Sequence, residues 1–199
     1  MTRRIDGVPP REWPAGLVAA ASHLRAPEGH PNAAMSEGRP KAFAVLESFA
    51  VHPELAQSFF PFNGHVLYGT TLSPRQRQLL VLRVAAHRQA PYLWAQHVFT
   101  AREVGMTDEE IGRVAFGPDA PLFTPFEAAL LRATDELLDD GAISDTTWAE
   151  LAAELDERQL IDVIFTVGCY ATVAMFMTSL DLEIDPAIAG LLNPTKETP

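Results

Sequence analysis

Helix start signals recur along this chain and constrain its fold more than any other feature. The segment Ser73-Pro74-Arg75-Gln76 combines a capping serine, a proline at the first helical position and a glutamine at the third. The segments beginning at Thr107 and Thr124 each place a glutamate three residues after a capping threonine, and the second also has a proline at the first helical position. Apolar residues follow at helical spacing, and no strand-like alternation bounded by hairpin turns occurs. The sequence therefore predicts an all-α fold.

Further helices are predicted on both sides of these signals. Phe43, Leu46 and Phe49 fall at helical spacing and precede a stop at residues 52–53. The next helix covers residues 54–68, and we expect Pro61 and Gly64 to kink or split it. Residue 144 or 145 opens another helix, and a final long helix covers residues 157–180.

The first 40 residues differ from the rest because prolines interrupt them repeatedly. They predict an N-terminal arm, residues 1–40, with one short helix near residues 15–24 that wraps the core or a neighbouring subunit. The helical domain is then expected over residues 41–185, followed by a C-terminal tail over residues 186–199.

Charge and cysteine content exclude several classes of function. The formal net charge is −11, which disfavours a nucleic-acid partner, and without a basic run a membrane-surface role is disfavoured too. Cys169 is the single cysteine among 199 residues, so neither an internal disulfide nor a thiolate metal cluster can form. The chain opens without a signal-peptide pattern, and the longest apolar segment, residues 160–180, is interrupted by polar residues. We therefore expect a cytoplasmic protein without a membrane partner.

Residues 73–182 contain the helix LLVLRVAA, a break at Gln89-Ala90-Pro91, and the segments YLWAQHV and AREVGMTDEEI. The segments FTPFEAALLRATDEL and LDERQLIDVIFTVGCYATVAMFMTSL follow. In these features the chain resembles the carboxymuconolactone decarboxylase and alkylhydroperoxidase-D family. The resemblance implies an alkylhydroperoxidase-D-like helical domain that assembles as a homo-oligomer, a trimer or a hexamer.

The peroxidase branch of that family has a recognisable set of functional residues. A glutamate lies on the first helix, a Cys-x-x-Cys pair at the break, and a histidine four residues beyond the second cysteine. The matching positions here are Gln78, Ala90, Leu93 and His97. Alanine and leucine cannot exchange a disulfide, so dithiol peroxidase chemistry is excluded at these positions.

The decarboxylase branch also lacks the cysteine pair, and it implies a lyase reaction on a small carboxylate or lactone without metal or organic cofactor. In that reading His97 is the catalytic acid, Arg83 is the catalytic anion holder, and Tyr92 and Trp94 form apolar walls. Two alternatives remain open: His97 as a structural, partly buried histidine and Arg83 as a structural ion pair.

Three more side chains are candidates for binding the substrate. His87 lies one helical turn after Arg83 on the same face, and His65 lies at the predicted kink. Tyr170 lies in an apolar helix, where its hydroxyl needs a partner. No histidine–carboxylate spacing predicts a metal site. A cofactor-independent acid–base enzyme is the first hypothesis, with a peroxidase (disfavoured) and a non-catalytic binding protein for small acids as alternatives.

Overall fold

A computed structural model describes residues 3–28, 42–186 and 188–189 of the chain. Within these residues the fold is all-α, as predicted, and contains no strand. The α-helices in chain order are α1 (Ala15–Ala20), α2 (Phe43–Phe49), α3 (Pro53–Gly64), α4 (Pro74–His87), α5 (Pro91–Glu103), α6 (Asp108–Val114), α7 (Pro125–Asp139), α8 (Asp145–Ala152) and α9 (Glu157–Ser179).

The predicted capping boxes form at the starts of α4, α6 and α7. At α4 the Ser73 hydroxyl accepts a hydrogen bond from the Gln76 backbone N–H at 3.2 Å, and the Gln76 side chain accepts one from the Ser73 N–H at 2.7 Å. Thr107 and Thr124 start α6 and α7 in the same way. Each box satisfies N–H groups that the first helical turn leaves without a partner inside the helix.

Arg75, in the first turn of α4, connects two of these helix starts. Its Nη2 atom lies 2.6 Å from Glu110 of α6, and its Nε atom lies 2.7 Å from Glu127 of α7. Both glutamates are thus held by the arginine while they cap their own helices. These contacts place the starts of α4, α6 and α7 together.

The chain forms two compact units, the first comprising the described residues up to 70 and those from 177 onward. The short helix predicted near residues 15–24 is present as α1, which continues into a 3₁₀ turn at Ala21–Leu24. As expected, the helix after Pro53 changes at Gly64, where α3 gives way to a π-helix over His65–Gly69. Residues 29–41, in which part of the predicted arm falls, and most of the predicted tail lie outside the described residues.

The second unit covers residues 71–176 and is built around α4. This helix packs against α5 on one side and α7 on another. It is buried on nearly every face in its middle, with Leu79, Leu80, Val81, Leu82 and Val84 fully excluded from solvent. A polar side chain placed on this part of α4 is therefore held away from water.

The long helix α9 includes nearly all of the apolar segment 160–180. By length and composition alone it could cross a membrane, a property that the core helix of a soluble protein shares. Half of its most apolar window is nevertheless buried inside the structure, as in the core helix of a soluble-type domain. We therefore interpret α9 as a core helix.

Candidate functional site

His97 and Gln78 form a buried polar pair in the middle of the second unit. Gln78 on α4 is fully buried, and His97 on α5 is 8% exposed. The His97 Nδ1 atom lies 2.8 Å from the Gln78 Oε1 atom, a short and buried hydrogen bond. Gln78 occupies the position of the family's glutamate and His97 that of its histidine, so the two matching positions are in direct contact.

Tyr170 of α9 completes the group around His97. The centroids of the two rings lie 5.0 Å apart, and the ring planes are nearly perpendicular at 89°. Tyr170 is 3% exposed. This edge-to-face contact restrains the orientation of the imidazole without adding a charge. Two residues named as candidates from sequence, His97 and Tyr170, are therefore adjacent.

The uncharged amide determines which imidazole atom can do chemistry. An amide oxygen only accepts, so the Nδ1 atom of His97 is the donor in this bond and the Nε2 atom is the one that can exchange a proton. The same bond survives when His97 becomes protonated, because Nδ1 carries a proton in both states. His97 can therefore gain and lose a proton at Nε2 while Gln78 stays in place.

The Gln78 amide has a second polar atom whose environment differs. Its Nε2 atom is buried, and among the described residues no hydrogen-bond acceptor reaches it. A buried donor left in this state costs about 1–3 kcal/mol relative to its hydrated form. The oxygen of the Gln78 amide therefore has a hydrogen-bond partner, whereas its nitrogen has none among the described residues.

The break between α4 and α5 precedes the helix that carries His97. Gln89 adopts a left-handed backbone with φ 49°, and α5 begins at Pro91 without any side chain capping its first N–H groups. Ala90 and Leu93, at the positions of the family's cysteines, are each 1% exposed. Leu93 lies one turn before His97 on the same face of α5, so the approach to the histidine on this helix is apolar.

Arg83 and His87 lie together on α4, as the sequence predicts, but they face α7. The guanidinium of Arg83 binds both carboxylate oxygens of Asp135 at 2.5 and 2.8 Å and donates to the carbonyls of Val114 and Ala115. His87 pairs with Asp139, one turn after Asp135, at 3.1 Å. These contacts favour the structural ion pair that was the alternative reading of Arg83.

Helix geometry explains why Arg83 and Gln78 point to different neighbours. Five residues on an α-helix turn it by about 140° beyond a full circle. Gln78 therefore faces α5 while Arg83 and His87 face α7. We place the candidate site at Gln78, and the anion-holding role of Arg83 stays a prediction that these contacts do not favour.

The remaining candidates are distributed over both units. Tyr92 is 2% exposed in the first turn of α5, and Trp94 is half-buried on the same helix. His65 lies in the first unit, on the π-helix, where it is exposed and its Nδ1 atom packs against Gly69. Tyr92 and Trp94 therefore share a helix with His97, and His65 belongs to the other unit.

Gln78 matches a functional position of the family in the sequence, but it is not among the predicted site residues. A signal was available, since a glutamine inside the apolar run of α4 has to find a buried partner. Two other residues were missed altogether: Asp135, which pairs with Arg83, and Arg77, a charged side chain of α4 that is only 4% exposed. Among the described residues, no group of three His, Cys, Asp or Glu side chains is placed to hold a metal ion.

Comparison with known structures identifies the same helical fold. A protein of unknown function from Agrobacterium tumefaciens is similar with a TM-score of 0.64 and 19% identity, covering 69% of this chain and 94% of its own. The alkylhydroperoxidase AhpD core protein from Ralstonia eutropha, described as uncharacterized and peroxidase-related, has a TM-score of 0.66 and 14% identity, with coverages of 74% and 79%. The debrominase Bmp8, in a variant with one cysteine replaced by alanine and in complex with 2,3,4-tribromopyrrole, has a TM-score of 0.74 and 12% identity, with 98% of each chain covered. At these identities the similarity establishes the fold alone.

Sequence comparison finds a family model that matches part of the chain. No curated protein matches the chain. Residues 53–136 match the model of the carboxymuconolactone decarboxylase family, a span that begins before residues 73–182 and ends within them. It includes Gln78, Ala90 and Leu93, as well as His97. Over residues 53–136 the chain is thus similar to the carboxymuconolactone decarboxylase family, without the Cys-x-x-Cys pair of the peroxidase branch, and it has an AhpD-like helical fold.

Proposed function

We propose that this protein is a cofactor-independent, cytoplasmic enzyme that acts on a small carboxylated or lactone-like compound by acid–base chemistry. The single observation that carries the proposal is the buried hydrogen bond of 2.8 Å between His97 Nδ1 and Gln78 Oε1. A histidine held at one nitrogen by an uncharged acceptor can transfer a proton at the other nitrogen. Histidine titrates near neutral pH, which suits both an acid and a base.

The surroundings of His97 support decarboxylation or a proton transfer beside a carbonyl group. Ala90 and Leu93 provide apolar surface in place of thiols, and low polarity disfavours a solvated carboxylate on the substrate. When such a substrate loses carbon dioxide, the electron pair of the broken carbon–carbon bond moves into the conjugated carbonyl as a dienolate. His97 in its protonated form then delivers the Nε2 proton to carbon and regains one from solvent, so the reaction is redox-neutral.

A peroxidase is the weaker alternative. A dithiol cycle requires two cysteines, and Cys169 is the single one in the chain. It is also 3% exposed within α9. Enzymes do occur on this fold, since its structural neighbour Bmp8 is a debrominase. Thiol chemistry at the positions of Ala90 and Leu93 is not open to this chain.

The proposal is tested with the variants His97→Gln and His97→Ala against γ-carboxylated butenolides and β-keto acids, with carbon dioxide release as the readout. We expect both variants to fold and to lose at least about 10²-fold in turnover, as is typical for a positioned proton donor. Cys169→Ser serves as the matched control, because it changes a buried side chain next to Tyr170 and should leave turnover unchanged.

Two results would contradict the proposal. Equal turnover by the wild type and both His97 variants would make His97 a structural residue. Binding of carboxylates without turnover of any compound in the panel would favour the alternative of a non-catalytic protein that binds small acids.

A further inference from the structure

The unsatisfied amide nitrogen of Gln78 is the feature of the buried pair that proton transfer at His97 does not use. Gln78 is fully buried, and its Oε1 atom is occupied by His97. Its Nε2 atom carries two N–H groups that reach no acceptor among the described residues. Buried donors in folded proteins nearly always have a partner, so a donor fixed in this way next to a histidine indicates a position for a ligand atom.

We infer that Gln78 is a substrate-binding residue whose Nε2 atom donates a hydrogen bond to an anionic oxygen of a small carboxylate, or of the enolate formed from it. This inference rests on the proposed function, because it places the substrate oxygen next to the buried pair of Gln78 and His97. It assigns to Gln78 the role of anion contact that the sequence assigned to Arg83.

The charges around the pair favour an anion over a neutral ligand. Neither Gln78 nor Tyr170 carries a negative charge near neutral pH, and His97 is neutral or positive. A glutamate at position 78, as in the peroxidase branch, would instead repel a carboxylate. Hydrogen bonds to a charged acceptor are roughly twice as strong as those between neutral groups, and the effect grows in apolar surroundings. Gln78 therefore selects for charge on the ligand oxygen.

The experiment compares benzoate with the neutral benzyl alcohol as probes, and uses nuclear magnetic resonance on protein labelled with ¹⁵N in its glutamine side chains. The Gln78 amide signals are assigned in the wild type from their through-space contacts to protons of the adjacent His97 ring. We expect benzoate to shift these signals in the wild type, whereas benzyl alcohol should shift them much less. The ¹⁵N shifts of His97 should show a proton on Nδ1 in the unbound protein.

Two variants and a control measure the effect on affinity. Gln78→Met keeps the length of the side chain and removes the donor, so benzoate affinity should fall at least about tenfold. Gln78→Glu also adds a charge and should weaken benzoate further. Thr134→Val is the control: Thr134 is fully buried on α7, its hydroxyl donates within its own helix to Leu130, and the change should leave affinity unaltered.

Several outcomes overturn the inference. The first is that the Gln78 amide signals of the wild type do not shift when the protein is saturated with benzoate. The second is that Gln78→Met binds benzoate as tightly as the wild type does. The third is that none of formate, acetate and benzoate binds. The wild-type signals decide the question even if both variants fail to fold. If His97 variants lose turnover while Gln78→Met keeps its carboxylate affinity, the inference fails and the proposed function stands. If carboxylates bind through Gln78 but no compound is turned over, the inference stands and the proposed function fails.

Discussion

Replacing Arg83 should destabilise the protein and leave its carboxylate binding intact. The side chains of Arg83 and Asp135 are 13% and 20% exposed and form a two-point ion pair. The same guanidinium donates at 3.1 and 2.9 Å to the carbonyls of Val114 and Ala115, at the end of α6. Arg83 therefore joins α4, α6 and α7, and its loss leaves a poorly hydrated carboxylate and two carbonyls without these donors.

The size of the effect follows from burial. Removing one partner of a fully buried ion pair costs about 3–5 kcal/mol. Because both side chains here retain some exposure, we expect about 3 kcal/mol for Arg83→Met. Arg83→Lys keeps the charge but loses the planar two-point contact, so we expect about 1–2 kcal/mol. With a urea dependence of about 2 kcal/mol per molar, the Arg83→Met midpoint should fall by about 1.5 M.

Urea unfolding followed by circular dichroism measures these changes, and a double-mutant cycle with Asp135→Asn isolates the pair. The coupling free energy should be about 1–3 kcal/mol, since residues that share one ion pair do not act independently. Unchanged midpoints in Arg83→Met together with a tenfold loss of benzoate affinity would refute this reasoning. They would restore Arg83 as the anion holder.

Three further predictions concern acid stability, redox chemistry and assembly. Hydrogen bonds from Thr107 and Arg75 lower the pKa of Glu110, and although burial raises the pKa of Glu127, bonds from Thr124 and Arg75 lower it on balance. Both glutamates should contribute fully to the free energy of unfolding above about pH 5, and this contribution should be lost as the pH falls through their lowered pKa values. Glu127→Gln should therefore reduce the dependence of the free energy of unfolding on pH in acid. An unchanged dependence would contradict the role given to Glu127. No thiol-dependent turnover of alkyl hydroperoxides is expected, and turnover that Cys169→Ser abolishes would disprove this. Light scattering should give a multiple of the 21.8 kDa monomer mass. Ile161 is 53% exposed on α9, and Ile161→Glu should reduce the measured mass. Phe116→Glu is the control and should leave the mass unchanged. A monomeric wild type would contradict the prediction.

Local signals in the sequence were sufficient to predict the helices. Ser73, Thr107 and Thr124 each start a helix where predicted, because a capping box is formed by residues within one turn of each other. The break before Pro91 was predictable for the same reason, since proline suits the first turn of a helix and cannot donate to the one before it. The loss of dithiol chemistry also followed from the sequence, because it depends on residue identity alone.

Tertiary structure decided which polar side chains meet. The spacing of Arg83 and His87 correctly predicted a shared face, but only the packing of α4 shows that this face meets Asp135 and Asp139 of α7. Gln78 and His97 are 19 residues apart on different helices, so no local pattern could show that they form a hydrogen bond. The sequence by itself determined the helices and excluded one chemistry. The candidate site depends on how α4, α5 and α9 pack, because a buried hydrogen bond between two helices requires a particular rotation of each helix about its own axis.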